Sequence, residues 1–194
     1  FTGIFRYHVL FVIRLKTLKV QIVGITAQPC ETWMKQMARN LTDPFDGFLR
    51  GVRYLIMDRD PLYTACFRHM LKDSGTNPVR LPTRSPDLNA FAERFVLSIK
   101  SECLCKVIPL GEKHLRLLIK EYMKHYHLER NHQGLGSHII RADGNVGRSK
   151  GDIKTRSRLG GFLNYNADNR IMPRQYVLSC FYCVFLRFHI VYAA

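Results

Sequence analysis

A change of period along its first third most constrains what this chain can fold into. Residues 4–13, Ile-Phe-Arg-Tyr-His-Val-Leu-Phe-Val-Ile, form a β-branched and aromatic run. Such a run reads as a buried strand. Residues 14–18 make a polar turn, and residues 19–26, Lys-Val-Gln-Ile-Val-Gly-Ile-Thr, alternate in polarity as the hairpin partner of the first strand. The period then becomes helical. Pro29 opens a helix that places Trp33, Met34, Met37, Ala38 and Leu41 on one face, and Asp43-Pro44 with Gly47 ends it. Residues 53–57 form a further short strand. Hairpin, helix and strand in this order give an α/β chain.

The remaining pattern extends this order. Asp60-Pro61 reads as an N-cap followed by Pro at the first helical position, opening a helix to Lys72 that buries Phe67, Met70 and Leu71. Gly75 to Pro78 is a turn, and Val79 to Leu81 an extended piece. Pro82 to Pro86 is a basic loop in which Ser85 caps the next helix, with Asp87 in the favourable first turn; that helix runs to about Leu104. A helix over 111–128 carries Leu115, Leu118, Ile119, Tyr122, Met123 and Tyr126 at helical spacing. Its outer face holds Lys113, Arg116, Lys120 and Lys124, either simply solvated or turned to DNA. From 131 to 170 Gly and Arg are frequent and no long periodicity survives, which predicts a mobile basic extension. Residues 171–194 form a separate apolar tail. Its run from 176 to 194 predicts an added strand or a stretch foreign to the domain. A membrane span is disfavoured by the cost of Arg187 and His189 at depth. The organisation expected is a core at 1–130, the extension at 131–170 and the tail at 171–194.

Charge speaks to partners. Thirty Lys and Arg against fifteen Asp and Glu give a formal net charge of +15 and a pI near 9.9. Nucleic acid is the first partner this suggests, and an anionic membrane surface the second. An apolar content of 46% excludes a disordered polycation. The six cysteines are scattered through a chain too large to need disulfide staples, which points to a reducing, cytoplasmic setting. Cys180-x-x-Cys183 has zinc-knuckle spacing without a second pair, and Cys103-x-Cys105 reads as packing at a helix end.

Two carboxylates carry the candidate chemistry. Asp58 closes the apolar run Tyr54-Leu55-Ile56-Met57, and Glu93 lies on the later helix. A strand-end carboxylate and a helical one can together hold Mg²⁺ or Mn²⁺ for phosphodiester chemistry. Two such ions roughly 3.5 to 4 Å apart would activate the attacking hydroxyl and stabilise the leaving oxygen. Mg²⁺ accepts hard oxygen ligands and keeps several waters. The plain alternatives are a turn residue for Asp58 and a solvated helix residue for Glu93. No Asp or Glu occurs before Glu31.

Three segments resemble one family. Asp58-Arg59-Asp60-Pro61-Leu62-Tyr63-Thr64 resembles the Asp-Asn-Gly-x-x-Phe/Tyr-Thr segment of integrase catalytic cores. Ser85-Pro86-x-x-Asn89-x-x-Ala92-Glu93-Arg94-Phe95 is similar to that family's Ser-Pro-x-x-Asn-Gly-x-x-Glu-Arg/Ser-Phe helix. Tyr126-His127-x-x-Arg130-x-His132-x-x-Leu135-Gly136 resembles the Tyr-Asn-x-x-Arg-x-His-x-x-Leu signature of bacterial insertion-sequence transposases. The three motifs stand in the family's order over roughly residues 3–165.

The resemblance implies an RNase H-like mixed sheet flanked by helices, and a metal-dependent Asp-Asp-Glu site that cuts and joins DNA. It maps the second Asp to Asp58 and the Glu to Glu93. The first Asp would lie on a strand preceding the hairpin, upstream of Phe1, so this strand is expected to be missing. The strand at 4–13 is then expected at a sheet edge or paired with the apolar tail. Asp60 and Ala90 stand where relatives have Gly, and Arg14 where they often carry Asp in the hairpin turn. Asn89 and Lys100 share a helix face with Glu93 and can face DNA, with Arg84 and Arg94 as further contacts. Arg130 and His132 are expected either to face DNA or to pack. The implied partners are element-end and target DNA and further copies of the chain. The implied location is cytoplasmic, at the nucleoid. A catalytically inactive DNA-binding remnant, and a nuclease or resolvase of the same fold, are the competing functions.

Overall fold

A computed structural model of the chain describes residues 6–82, 90–136, 138–140, 155–161, 163–166 and 186–193. These residues pack as two units. One comprises Phe1–Phe95 with Val184–Ala194, the other Val96–Cys183.

The first unit is built on the expected hairpin. Strand β1 (Tyr7–Arg14) pairs antiparallel with β2 (Val20–Thr26), from His8↔Thr26 to Ile13↔Val20, with a register shift between Leu10 and Phe11. Helix α1 (Glu31–Leu41) follows, then β3 (Tyr54–Met57), α2 (Ala65–Asp73) and β4 (Asn77–Arg80), which runs parallel to β3. Strand β4 covers the extended piece expected near 79–81. The start of α2 departs from the sequence reading. Asp60 does not cap it: its Oδ1 accepts the Leu62 N–H at 2.9 Å in a local turn. Thr64, extended at ψ 166, is the N-cap, its Oγ1 accepting the Phe67 N–H at 3.3 Å. Both residue types suit the role. The Asp60 turn consumes the chain before the helix can begin.

The tail completes the sheet. In the second unit α3 (Ala90–Ile99), whose first residues belong to the first unit, continues as a π-helical turn over Lys100–Leu104, and α4 (Glu112–Leu128) follows. Then come β5 (Asn131–His132) with β6 (His138–Ile139), and β7 (Thr155–Arg158) with β8 (Leu163–Asn166). Strand β9 (Leu186–Ala193) returns to the first unit, where the order is β2-β1-β9-β3-β4. It runs parallel to β1 from Tyr7↔Leu186 to Arg14↔Ala193, and antiparallel to β3 from Leu55↔Ala193 to Met57↔Val191. The added strand expected of the tail is therefore present. The alternative, β1 at an exposed edge, is not: β1 is flanked by β2 and β9. The sheet is mixed, as expected of an RNase H-like integrase core.

Alternation along the strands sorts the core. Successive side chains point to opposite faces. Leu10 and Val12 of β1, Leu55 and Met57 of β3, and Val191 and Ala193 of β9 all pack with Met34, Met37, Ala38 and Leu41 of α1 and Phe67 and Leu71 of α2. Each of the larger chains contributes about 1.5–3 kcal/mol by leaving water. On the opposite face Phe11 meets Phe95 of α3 at 4.9 Å between centroids and Phe188 at 6.0 Å.

The second unit contains more order than a mobile extension. Its two short hairpins occupy part of 131–170, and β7–β8 is tied down by charge. Arg158, 14% exposed, donates to Glu129 at 2.7 Å and to Glu121 at 3.1 Å. The Ser98 and Tyr122 hydroxyls are hydrogen-bonded at 2.8 Å. Cys103 is buried, as helix-end packing requires, and burial pushes its thiol up to about 12. Among the described residues no helix is long and apolar enough to cross a membrane. Cys180, Cys183, Ser85 and Asp87 lie outside the described residues.

Candidate functional site

Asp58 follows β3 directly, at the carboxyl end of a strand whose neighbours on both sides are paired. Its Oδ1 accepts the Asp60 N–H at 3.2 Å, which turns the chain away from the sheet. Alternation carries Asp58 to the face of Ile56, because Leu55 and Met57 enter the α1–α2 core. Tyr192 of β9 is paired with Ile56 and is fully buried.

Glu93 is exposed in the first turn of α3, where a carboxylate complements the helix dipole. Ala92 beside it is buried and Phe95 packs on Phe11, so this turn is seated on the sheet. The Tyr192 phenol feels the charge of both carboxylates. Burial raises it well above the ordinary phenol range; a backbone hydrogen bond with Ala92 opposes that, and the charges of Glu93 and Asp58 add to the rise. Tyr63, buried on the other side of the strand end, is raised by burial, by Asp58 and by Asp60. The strand end is thus a negative centre with two buried phenols beside it.

A second cluster lies at the same end of the sheet. The imidazoles of His8 and His189 stack at 5.1 Å, and a hydrogen bond of 2.8 Å joins His8 Nδ1 and His189 Nε2. His189 Nδ1 lies 3.1 Å from Asp60 Oδ2. Asp60 therefore serves the tail strand as well as its own turn. Sequence reasoning missed His8, His189 and Tyr192, because nothing local says that residues 181 positions apart are neighbours.

The other expected contacts are placed as follows. Arg94 is exposed beside Glu93, and Lys100 is half-buried where α3 becomes π-helical. Arg84 and Asn89 lie outside the described residues. Arg130 donates to Glu102 at 3.0 Å, with its guanidinium 5.9 Å from the centre of the Tyr126 ring. His132 is 4% exposed, its Nε2–H donating to the Tyr126 carbonyl at 2.8 Å and its ring edge-on to Tyr126. Burial lowers its basicity, partly offset by that hydrogen bond. Of the two roles kept open for this pair, packing is the one these contacts describe.

Residues 74–138 match the Integrase core domain family. The match takes in Glu93 and the Tyr126–Leu135 signature and ends short of Asp58 on its amino-terminal side. No curated protein matches the chain. The integrase-core match points to transposase or integrase-like function with DNA as the substrate.

Proposed function

We propose that this chain is the catalytic core of a DNA strand transferase of the transposase or integrase type, acting in the cytoplasm on element ends and target DNA as a multimer. The observation that carries the reading is the placement of Asp58 at the carboxyl end of β3 and of Glu93 in the first turn of α3, a turn seated on the same sheet by Phe95 and lying inside the integrase-core match. Asp58 and Glu93 are the metal ligands in this reading. Both offer hard oxygens to solvent, as Mg²⁺ or Mn²⁺ requires. Asp58 and Glu93 would hold such an ion, and water and substrate phosphate would supply its remaining oxygens. Bound there, the metal supplies Lewis-acid stabilisation of the scissile phosphate and the leaving oxygen.

The protein's own part is positional. The Asp58 turn fixes one carboxylate at the strand end. Packing of Phe95 on Phe11 and the Tyr192–Ala92 bond hold the first turn of α3, and with it Glu93. Arg84, Asn89, Arg94 and Lys100 are the DNA-contacting residues of this reading, holding phosphates on the basic surface.

The test is nicking and strand transfer on DNA with Mg²⁺ or Mn²⁺. Activity that Glu93→Gln lowers by about 10²-fold or more supports the reading, since a metal-held carboxylate contributes several kcal/mol to the transition state. Activity indifferent to that substitution sinks it. A second reading, DNA binding without catalysis, is favoured by β9: the strand lying between β1 and β3 carries no carboxylate over Leu186–Ala193. Absence of turnover alongside salt-sensitive DNA binding would select it.

A further inference from the structure

Helix α2 and the edge strand β4 enclose a groove of about 500 Å³ lined by Ala65, Arg68, His69, Lys72, Pro78 and Arg80. Four of these six carry basic groups and none is acidic. Arg68 is anchored through a bond from its guanidinium to the Tyr63 carbonyl. His69 pairs with Asp73 at 3.1 Å on the exposed side of α2. Lys72 and Arg80 are exposed, and no carboxylate among the described residues pairs with either. Arg68 and Lys72 stand four residues apart on one helix face, a like-charge spacing that costs helix stability by roughly 0.2–0.5 kcal/mol. The fold gains nothing from that repulsion, whereas a bound polyanion would remove it.

The groove is also placed along the path from the carboxylates. Arg80 is the register partner of Met57, the residue before Asp58. Neighbouring strands lie about 4.8 Å apart. Helix α2 runs from the Asp58 end of the sheet back to the start of β4, so a backbone leaving Asp58 across the sheet edge meets Arg80 first, then Arg68 and then Lys72.

We propose that this groove is a phosphate track that holds the phosphodiester backbone of a DNA strand as it leaves the Asp58–Glu93 centre. The inference rests on the proposed function for its direction, but its binding chemistry does not need turnover. Guanidinium and ammonium groups at the rim hold successive phosphates without reading bases, so sequence preference is not expected of this groove.

The experiment compares the full chain with the triple variant Arg68→Gln, Lys72→Gln, Arg80→Gln. A control removes the same charge elsewhere, from exposed Lys16, Arg39 and Arg50. Single-stranded and duplex DNA binding is measured by fluorescence anisotropy from 50 to 200 mM salt, with thermal melts to show that both variants fold. Each phosphate contact contributes about 0.9 to the slope of log affinity against log salt on duplex DNA and about 0.7 on single strands. Loss of three contacts therefore makes the salt penalty over this range roughly 20- to 40-fold smaller for the groove variant. The control should shift far less. Equal shifts for both variants would reduce the effect to net charge and overturn the track. Tripolyphosphate competing as well as a DNA strand of equal charge would also overturn it, marking a small-anion site. The same titration on Glu93→Gln keeps the two readings separate: binding through the groove survives there even if no nicking is ever observed.

Discussion

Gly24 sits where β2 passes closest to α1. A Cβ at this position would run into Met37 Sδ and lie 2.8 Å from Trp33 Cζ2. The thioether can swing aside, but the indole is held by the core. Gly24→Ala should therefore cost about 1–3 kcal/mol, the usual range for overpacking. The readout is a lower denaturant midpoint at unchanged slope, and an unchanged midpoint would mean that the β2–α1 contact yields freely. Legibility at this scale was uneven. The strand-end position of Asp58 and the helical position of Glu93 were readable because strand-end and helix motifs are local. The cap of α2 was not, because Asp60 and Thr64 are both good capping residues. Only the turn geometry chose between them.

The second unit is where acid should act. Glu129, 5% exposed, is bonded to Arg158 and to His125. Burial raises its pKa, but the bonds to Arg158 and His125 outweigh this and hold it below the ordinary value of 4.5. A depressed carboxylate contributes stability that is present above its unfolded pKa and lost as pH falls through the folded one. His132, held below 6.5 by burial, acts in the same direction. A base with a depressed folded pKa loses its contribution once pH falls below the unfolded value. Melting should thus weaken first as pH drops below about 6.5, and again below about 4.5. Arg158→Ala leaves Glu129 buried without its guanidinium and should cost about 3 kcal/mol at neutral pH. That cost should shrink at pH 3, where Glu129 can protonate. A pH-independent loss would show that Arg158 acts through packing alone. At the scale of elements the helices were legible from period. The β7–β8 hairpin was not, since its Arg158 is held by ion pairs 29 and 37 positions away in the chain.

The whole molecule turns on β9. It is the middle strand of five, and without it β1 and β3 would each lose one partner. Its pairing with β1 joins residues nearly the full chain apart, such as Tyr7 with Leu186. Contacts of that separation slow folding, because loop-closure entropy is lost before they form. Val191, fully buried between the sheet and α1, is the sensitive position. Val191→Asp should cost more than about 3 kcal/mol, by burying a charge with no partner. Hydrogen exchange would then show lost protection over Tyr7–Arg14 and Tyr54–Met57 together. Protection persisting in those two strands would mean that the sheet is stable without its middle strand.

By itself the sequence determined the positions of the early strands and the helices, the basic surface, and the two carboxylates at the ends of their motifs. Each of these is written within a few residues, in a period, a cap or a short spacing. The place of the tail, the burial of His189 and Tyr192, and the pairing of His189 with His8 and Asp60 were decided only in three dimensions. An apolar run specifies that a strand will be buried. It does not specify which two strands will bury it, because strand pairing is a contest among distant segments settled by packing.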